Sequence, residues 1–316
     1  MRPLPVLLLA ALPLPAGAQE IALRVLSLNI WGAGLNEGAG IEDTVAVLRA
    51  AEADLVGLQE VRAESDPCLA ESCPPAGPSV GAALAEALGL FYHEQTEENP
   101  ALWAGGILSR WPVAAVAPHD LGVAVDLPDG RRVWLFNIHL DDEPYGPYQL
   151  LGIPYGPSPF TDDPAVAIAT AEATRGPALD LLEESLRAAE GAAAVFVTGD
   201  FNEPSDLDWT PEAAEAGLHP VAVDWPASRR MRAMGFTDAY RAVHPDPVAR
   251  PAFTWTARGS EDDPEDHHDR IDFVYARGEG LRVEDAWIMG ETGPRTDLAV
   301  DPWPSDHRGV LAELRF

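Results

Sequence analysis

Asn29, Glu60, Asn137, His139, Asp200, Asn202, Asp272, Asp306 and His307 all lie at or just beyond one end of a short apolar run. Their side chains are carboxylates, carboxamides and imidazoles. The two cysteines, Cys68 and Cys73, sit apart from them in the Pro-rich stretch 65–78. Oxygen donors of this kind suit a hard cation such as Mg²⁺, which takes few protein carboxylates and keeps several waters. Two cysteines are too few for a thiolate zinc site, and neither H-E-x-x-H nor a Walker A loop occurs. A cation held beside an acid, an amide and an imidazole is the equipment for in-line attack of water on phosphorus. Singly, each residue has a duller explanation, because a strand-end Asn or Asp commonly caps a turn and a lone His is more often structural. Only the set points to chemistry.

Such a set has to be positioned by a sheet. The runs 23–28, 55–58, 106–109, 133–138, 194–198, 271–275 and 310–314 are short, β-rich and bounded by Gly, Pro or charge, which predicts buried strands. Val123-Ala124-Val125 and Val133-Trp134-Leu135, parted by Pro128-Asp129-Gly130, predict a hairpin. Helical spacing of Ile41, Val45 and Leu48 predicts a helix over 41–51, and an Ala-rich stretch predicts another over 80–88, ending at Gly89. A long helix is expected over 164–189, kinked or split at Gly176-Pro177. Hairpins among alternating strands and helices argue against a purely parallel doubly wound sheet. Two mixed sheets packed face to face with helices outside fit better, in one domain over 19–316.

Two long irregular stretches remain. Residues 141–163 are rich in Pro, Gly and Tyr and suit a substrate wall or lid. Residues 260–269, with Asp266-His267-His268-Asp269 at their end, are read as a solvated acidic loop rather than a metal site, because nothing in the sequence fixes their geometry. Tyr145, Tyr148, Trp209 and Trp303 are candidates to stack on a base, sugar or headgroup, with packing onto the body as the alternative.

The N-terminus starts Met1-Arg2, continues with the apolar run 6–12 and reaches Ala16-Gly17-Ala18, the pattern of a secretory signal peptide cut after Ala18. The run is too short to span a bilayer, so the expected product is an exported protein, periplasmic or extracellular, without a transmembrane segment. In an oxidising compartment Cys68 and Cys73 are expected to close a small disulfide loop, with free thiols as the alternative. The formal net charge is −30, and all 21 basic residues are Arg. Such acidity disfavours tight binding of polyanions, so no stable nucleic-acid partner is expected, although a bound cation can invert the field locally. Arg229-Arg230-Met231-Arg232 is the best candidate for a basic patch, and reads as one exposed helix rather than a nucleic-acid grip. A monomer is expected.

In chain order, Ser27-Leu28-Asn29-Ile30-Trp31, Leu58-Gln59-Glu60-Val61, Ile107-Leu108-Ser109-Arg110-Trp111-Pro112-Val113, Asn137-Ile138-His139-Leu140, Gly199-Asp200-Phe201-Asn202, Arg270-Ile271-Asp272-Phe273-Val274 and Ser305-Asp306-His307-Arg308 resemble the signature blocks of the endonuclease/exonuclease/phosphatase superfamily, which contains DNase I. The resemblance spans 23–316. It implies a four-layered α/β sandwich of two mixed central β-sheets flanked by helices, and a Mg²⁺-dependent phosphoesterase in which Mn²⁺ or Ca²⁺ can replace or assist. By the same resemblance Glu60, with Asn29 beside it, is the principal metal ligand, and Asp306 lies near the metal or a second one. Asp200 orients or deprotonates the attacking water, and Asn202 positions that water or a phosphate oxygen. His307 contacts the scissile phosphate, and Asp272 holds the His307 ring. His139 also touches the phosphate, with Asn137 supporting its loop, but no acidic partner for His139 is found. The acidity and the aromatic loop beside His139 favour a small-molecule or headgroup ester as substrate; a secreted nuclease is the alternative, a toxin acting on host lipids or DNA a further one, and loss of the chemistry in a binding protein the outlying reading.

Overall fold

The computed structural model describes residues 20–63 and 80–316. The leader expected over 1–18 and the Cys68 and Cys73 pair lie outside them. Strands are β1 (Ala22–Asn29), β2 (Leu55–Gln59), β3 (Phe91–Glu94), β4 (Gly106–Ser109), β5 (Val113–Val116), β6 (Gly122–Asp126), β7 (Arg132–His139), β8 (Ala194–Asp200), β9 (Thr237–Asp238), β10 (Asp272–Arg277), β11 (Arg282–Gly290), β12 (Leu298–Ala299) and β13 (Gly309–Arg315). Helices are α1 (Glu42–Ala51), α2 (Val80–Leu88), α3 (Gly146–Leu151), α4 (Pro164–Ser185), α5 (Pro211–Glu215), α6 (Pro226–Ala233) and α7 (Ala239–Val243). Each of the seven runs predicted as buried strands forms one, and the predicted hairpin is β6–β7.

The strands make two mixed sheets, one in the order β12-β11-β13-β1-β2-β4-β3 and the other β5-β6-β7-β8-β10-β9. Apolar inner faces of both meet in one core that includes Leu23, Val25, Val133, Leu135, Ala194, Phe196, Val274 and Val310. On the outer face of the first sheet, Val45, Leu48, Leu84 and Ala85 of α1 and α2 cover Leu26, Leu28 and Leu58. On the outer face of the second, Ala178, Leu179 and Leu182 of α4 and Met231 of α6 cover Phe136, Val197 and Phe273. The result is helix, sheet, sheet, helix, the four-layered sandwich expected.

Gly176-Pro177 does not split α4, which continues to Ser185 before tightening into a 3-10 turn over Leu186–Ala189. A proline inside a helix costs about 3 kcal/mol through the lost hydrogen bond and steric clash. Burial of Ala167, Ala171, Ala178, Leu179 and Leu182 along the helix offsets that cost.

Strand direction places the polar ends together. β1 runs parallel to β2, and β7 parallel to β8, so their C-terminal ends share one edge. β10 is antiparallel to β8 and β13 antiparallel to β1, which brings their first residues to that same edge. Along the inner face of each sheet the side chains read apolar, apolar, polar, polar: Leu23-Val25-Ser27-Asn29 in β1, Val133-Leu135-Asn137-His139 in β7, Ala194-Phe196-Thr198-Asp200 in β8. The alternating pleat converts this period-2 pattern into two stacked polar layers above an apolar core.

Candidate active site

The lower polar layer is a hydrogen-bonded floor. The amide of Asn137, fully buried, donates to Leu58 O and Gln95 Oε1, both at 2.8 Å, and its Oδ1 accepts from Gln59 Nε2 at 2.6 Å and Thr198 Oγ1 at 3.1 Å. Ser27 Oγ accepts from the Gly199 amide at 3.0 Å, joining the two sheets. Gly57 lies opposite Asn137 and Thr198, where a β-carbon would overlap both side chains. This buried network, satisfied except for Gln59 Oε1, sits directly beneath the reactive layer and holds the strand ends that carry it.

In the upper layer, Asp200 pairs in register with His139 on one side and Asp272 on the other. Asn29 Nδ2, from the opposing sheet, reaches Glu60 Oε1 at 2.8 Å and Asp200 Oδ2 at 3.1 Å. That same Asp200 oxygen faces His139 Nε2 and His307 Nε2, each at 3.6 Å. His307 Nδ1 donates to Asp272 Oδ2 at 2.9 Å. The His307 backbone is clamped through Ser305 Oγ, which accepts from the His307 amide at 3.1 Å and donates to Asn29 O at 2.7 Å. His139 Nδ1 faces the carbonyl oxygen of Trp103 at 3.2 Å, so a main-chain acceptor, rather than the carboxylate sought in the sequence, orients this ring and leaves Nε2 toward Asp200. The Asn202 amide donates to Asp200 Oδ1 at 2.9 Å, and its side chain to Leu140 O at 2.9 Å. Trp31, Glu60 and Asn202 adopt left-handed backbone, with φ of 45°, 55° and 47°. Non-glycine residues held there cost on the order of 1–3 kcal/mol each and cluster at functional sites.

Charge is concentrated here. Burial raises the Glu60 carboxyl, opposed by His139, His307 and the Asn29 hydrogen bond, with nearby Asp306 reinforcing the rise. Asp306 is raised by burial and by Asp200, against the pull of His307. Burial pushes the His307 imidazole down, but Asp272, Asp200 and Asp306 outweigh it and hold it well above the usual histidine range. The Asp272–His307 pair therefore keeps its shared proton on the imidazole.

These residues line a cavity of about 570 Å³ that includes Glu60, His139, Asp200, Asn202, Asp306 and His307. Its walls are Trp31, Trp103, Tyr145, Tyr148, Tyr155 and Trp255, with Asp141 and Asp142 also in the lining and, among the described residues, no guanidinium. Of the candidate aromatics, the structure brings Tyr145 and Tyr148 to the cavity and not Trp209 or Trp303. Trp209 is 1% exposed, stacked on His219 at 4.4 Å, with its indole nitrogen donating to Asp269 Oδ1 at 2.7 Å. Trp303 donates to His307 O at 2.7 Å, so it braces the site from behind. Both fill the body because each finds a buried acceptor for its N–H. Trp31, Trp103, Tyr155 and Trp255 were not singled out in the sequence; Trp31, two residues past Asn29, and Tyr155, within the 141–163 stretch read as a substrate wall, carried a signal, and Trp103 and Trp255 did not. The loop 260–269 also departs from expectation, since His268 and Asp269 at its end are buried.

The fold and this cluster define a hydrolytic phosphoesterase scaffold of the DNase I type. The chain belongs to the endonuclease/exonuclease/phosphatase family, whose model matches residues 26–307. An uncharacterized protein of Caenorhabditis elegans is 26% identical over 313 residues, covering 93% of this chain and 91% of the relative. Among solved structures, an endonuclease/exonuclease/phosphatase from Beutenbergia cavernae superposes with a TM-score of 0.53 at 21% identity, covering 93% of this chain and 72% of that one. The 3′ phosphatase NExo from Neisseria, bound to product DNA hairpin, gives 0.54 at 18% identity over 92% and 98% of the two chains. At these identities the structural likenesses speak for the fold.

Proposed function

We propose that this protein is an exported hydrolase that cleaves a small-molecule or headgroup phosphate ester with the aid of a divalent cation, Mg²⁺ by donor chemistry. The single observation that carries the reading is the convergence of His139 Nε2, His307 Nε2 and the Asn29 amide on one Asp200 oxygen, beside Glu60 and Asp306, in one cavity. Export rests on the leader pattern at the N-terminus.

A cation fits these residues. Glu60 and Asp306 are mutually repelling carboxylates whose raised affinity for protons a divalent ion would relieve, and the donors are hard oxygens. Glu60 and Asp306 would hold it, with Asn29 fixing the Glu60 carboxylate; Mn²⁺ or Ca²⁺ would suit the same donors. When bound it supplies Lewis-acid stabilisation of charge on a phosphate oxygen. The remaining work falls to the chain. Asp200 is the acceptor placed to orient an attacking water and take its proton. Asn202, locked by Asp200 and Leu140 O, positions the phosphate or that water. His307, protonated and held by Asp272, stabilises developing charge and supplies a proton to the departing oxygen. His139 presents Nε2 to the same phosphate.

A small substrate is favoured by the aromatic walls and by the absence of guanidinium groups from the lining. The candidate basic patch on α6 is neutralised: Arg229 pairs with Asp224 at 2.7 Å, Arg230 with Asp180 and Glu183, and Arg232 with Asp206. The nuclease reading has the DNA-bound Neisseria structure behind it, and the assay must include it. Mature protein and its Asp200→Asn variant are offered a phosphodiester, a phosphomonoester, sphingomyelin and plasmid DNA, with Mg²⁺ or chelator. We expect Mg²⁺-dependent turnover of a small ester, reduced by about 10²- to 10⁴-fold in the variant. Undiminished activity in Asp200→Asn would reject the assignment, and turnover of plasmid alone would select the nuclease.

A further inference from the structure

Behind the aromatic wall lies a second cluster of metal-ligating groups. His219 follows α5, and His267 and Asp269 close the loop 260–269. His219 Nδ1 is 3.1 Å from His267 Nε2 and 3.7 Å from Asp269 Oδ1, and His267 Nε2 is 4.0 Å from Asp269 Oδ2. A tetrahedral zinc ion with bonds of about 2.0–2.1 Å sets its ligand atoms about 3.3 Å apart. The two imidazole nitrogens and the Asp269 carboxylate thus outline one face of such a tetrahedron, with the edge to Asp269 up to about 0.7 Å long.

Asp269 gives the independent reason to expect a cation. Its carboxylate is 1% exposed and accepts hydrogen bonds from Trp209 Nε1 and the Tyr145 hydroxyl, both at 2.7 Å, but both donors are neutral. Among the described residues, its only basic neighbours within 4.0 Å are His219 and His267. Asp208 and Asp266 nearby add negative charge. Burial raises the Asp269 carboxyl well above the usual carboxylate range, so it is held ionised here only by a pairing charge or a metal. Its two oxygens are meanwhile fixed by second partners, as those of metal-ligating carboxylates commonly are.

We propose that His219, His267 and Asp269 form a second metal site, separate from the hard-oxygen site at Glu60, that takes a zinc-class transition ion through His219 Nδ1, His267 Nε2 and an Asp269 oxygen. Two imidazoles and one carboxylate are the donor set of a borderline ion rather than of Mg²⁺, and a fourth position is left for water. The site would act structurally. Asp269 carries Tyr145 on its side chain and pairs by backbone with Trp255 through hydrogen bonds of 2.9 and 3.0 Å, and both aromatics wall the cavity. An ion here ties the segment after α5 and the loop 260–269 to that wall. This inference does not depend on the phosphoesterase reading.

The test is Co²⁺ titration of metal-stripped mature protein in excess Mg²⁺, read by the visible absorption of tetrahedral Co²⁺, with competition by Zn²⁺. We expect one equivalent to bind in wild type and in Glu60→Gln, and affinity to fall at least tenfold in His267→Ala and in His219→Gln. Circular dichroism establishes that each variant is folded. Zn²⁺ is also expected to raise the melting temperature by several degrees in wild type and in Glu60→Gln, and not in the two histidine variants. No tetrahedral Co²⁺ signal in wild type, or a signal that survives both histidine variants, overturns the proposal.

Discussion

At the scale of the residue, the feature that organises the site is one proton held between Asp272 and His307. The 2.9 Å contact fixes Nδ1 as a donor and turns Nε2 into the cavity. Asparagine at position 272 keeps the shape but removes the charge, so the imidazolium loses the largest of the influences that raise it. On the proposed mechanism His307 works as an acid in its protonated form, so activity should fall as pH rises through its pKa. In Asp272→Asn that fall should begin at lower pH, and kcat should drop by about 10²- to 10⁴-fold. A kcat/KM profile whose alkaline limb does not move would assign the limb to another group. This layer of the molecule was legible in the sequence because each reactive residue sits in a short block at a strand end, two positions from another polar residue. The aromatic walls were not legible. Trp103 and Trp255 reach the cavity through loops whose course depends on contacts remote in sequence, while Trp209 and Trp303, equally plausible as letters, are drawn inward by Asp269 and His307 O. His219 was invisible for the same reason, since its ligand partners lie 48 residues away or more.

At the scale of the element, the long helix α4 and short α6 are joined by one buried acid. Glu203, 2% exposed, accepts from the Ala227 amide in the first turn of α6 at 2.6 Å and lies 3.9 Å from Arg175 of α4. Burial raises it to about 7 from the usual 4.5, although Arg175 and the Ala227 hydrogen bond oppose the rise. The folded state thus binds this proton more tightly than the unfolded one. The stabilisation is complete below about pH 4.5 and is lost as pH rises through 7, an effect of about 3 kcal/mol. Relative to Glu203→Gln, wild type should lose about 2–3 kcal/mol of unfolding free energy between pH 5 and pH 8. Denaturant melts of both proteins at the two pH values measure it, and parallel losses would mean that Glu203 is already ionised at pH 5. The strands of the core were easy to foresee because they are apolar on both faces. β11 was missed because Arg282, Glu284 and Asp285 crowd its first half, where the strand is only partly covered and tolerates charge. The continuity of α4 was misjudged because packing along its whole length outweighs the local cost of Pro177.

At the scale of the whole molecule, a net charge of −30 surrounds a cavity meant for an anion. The two facts are compatible only if the attraction is local, confined to a bound cation, the protonated His307 and the Asn202 amide. Beyond one Debye length, about 10 Å at 0.1 M salt, the field of the protein repels a phosphate ester rather than steering it. Salt therefore has opposite effects on the two possible substrate classes. For a small anionic ester, raising the ionic strength from about 0.02 to 0.2 M screens the long-range repulsion while leaving the buried contacts intact, and KM should fall by roughly two- to fivefold. For a long nucleic acid held through its phosphates, binding releases condensed counterions, a gain that shrinks as salt rises, so the same change should weaken binding steeply. Steady-state kinetics on both substrates at fixed free Mg²⁺ separate the cases. A KM for the small ester that rises with salt would show that surface cations guide the substrate, which neither the composition nor the paired arginines of α6 supply.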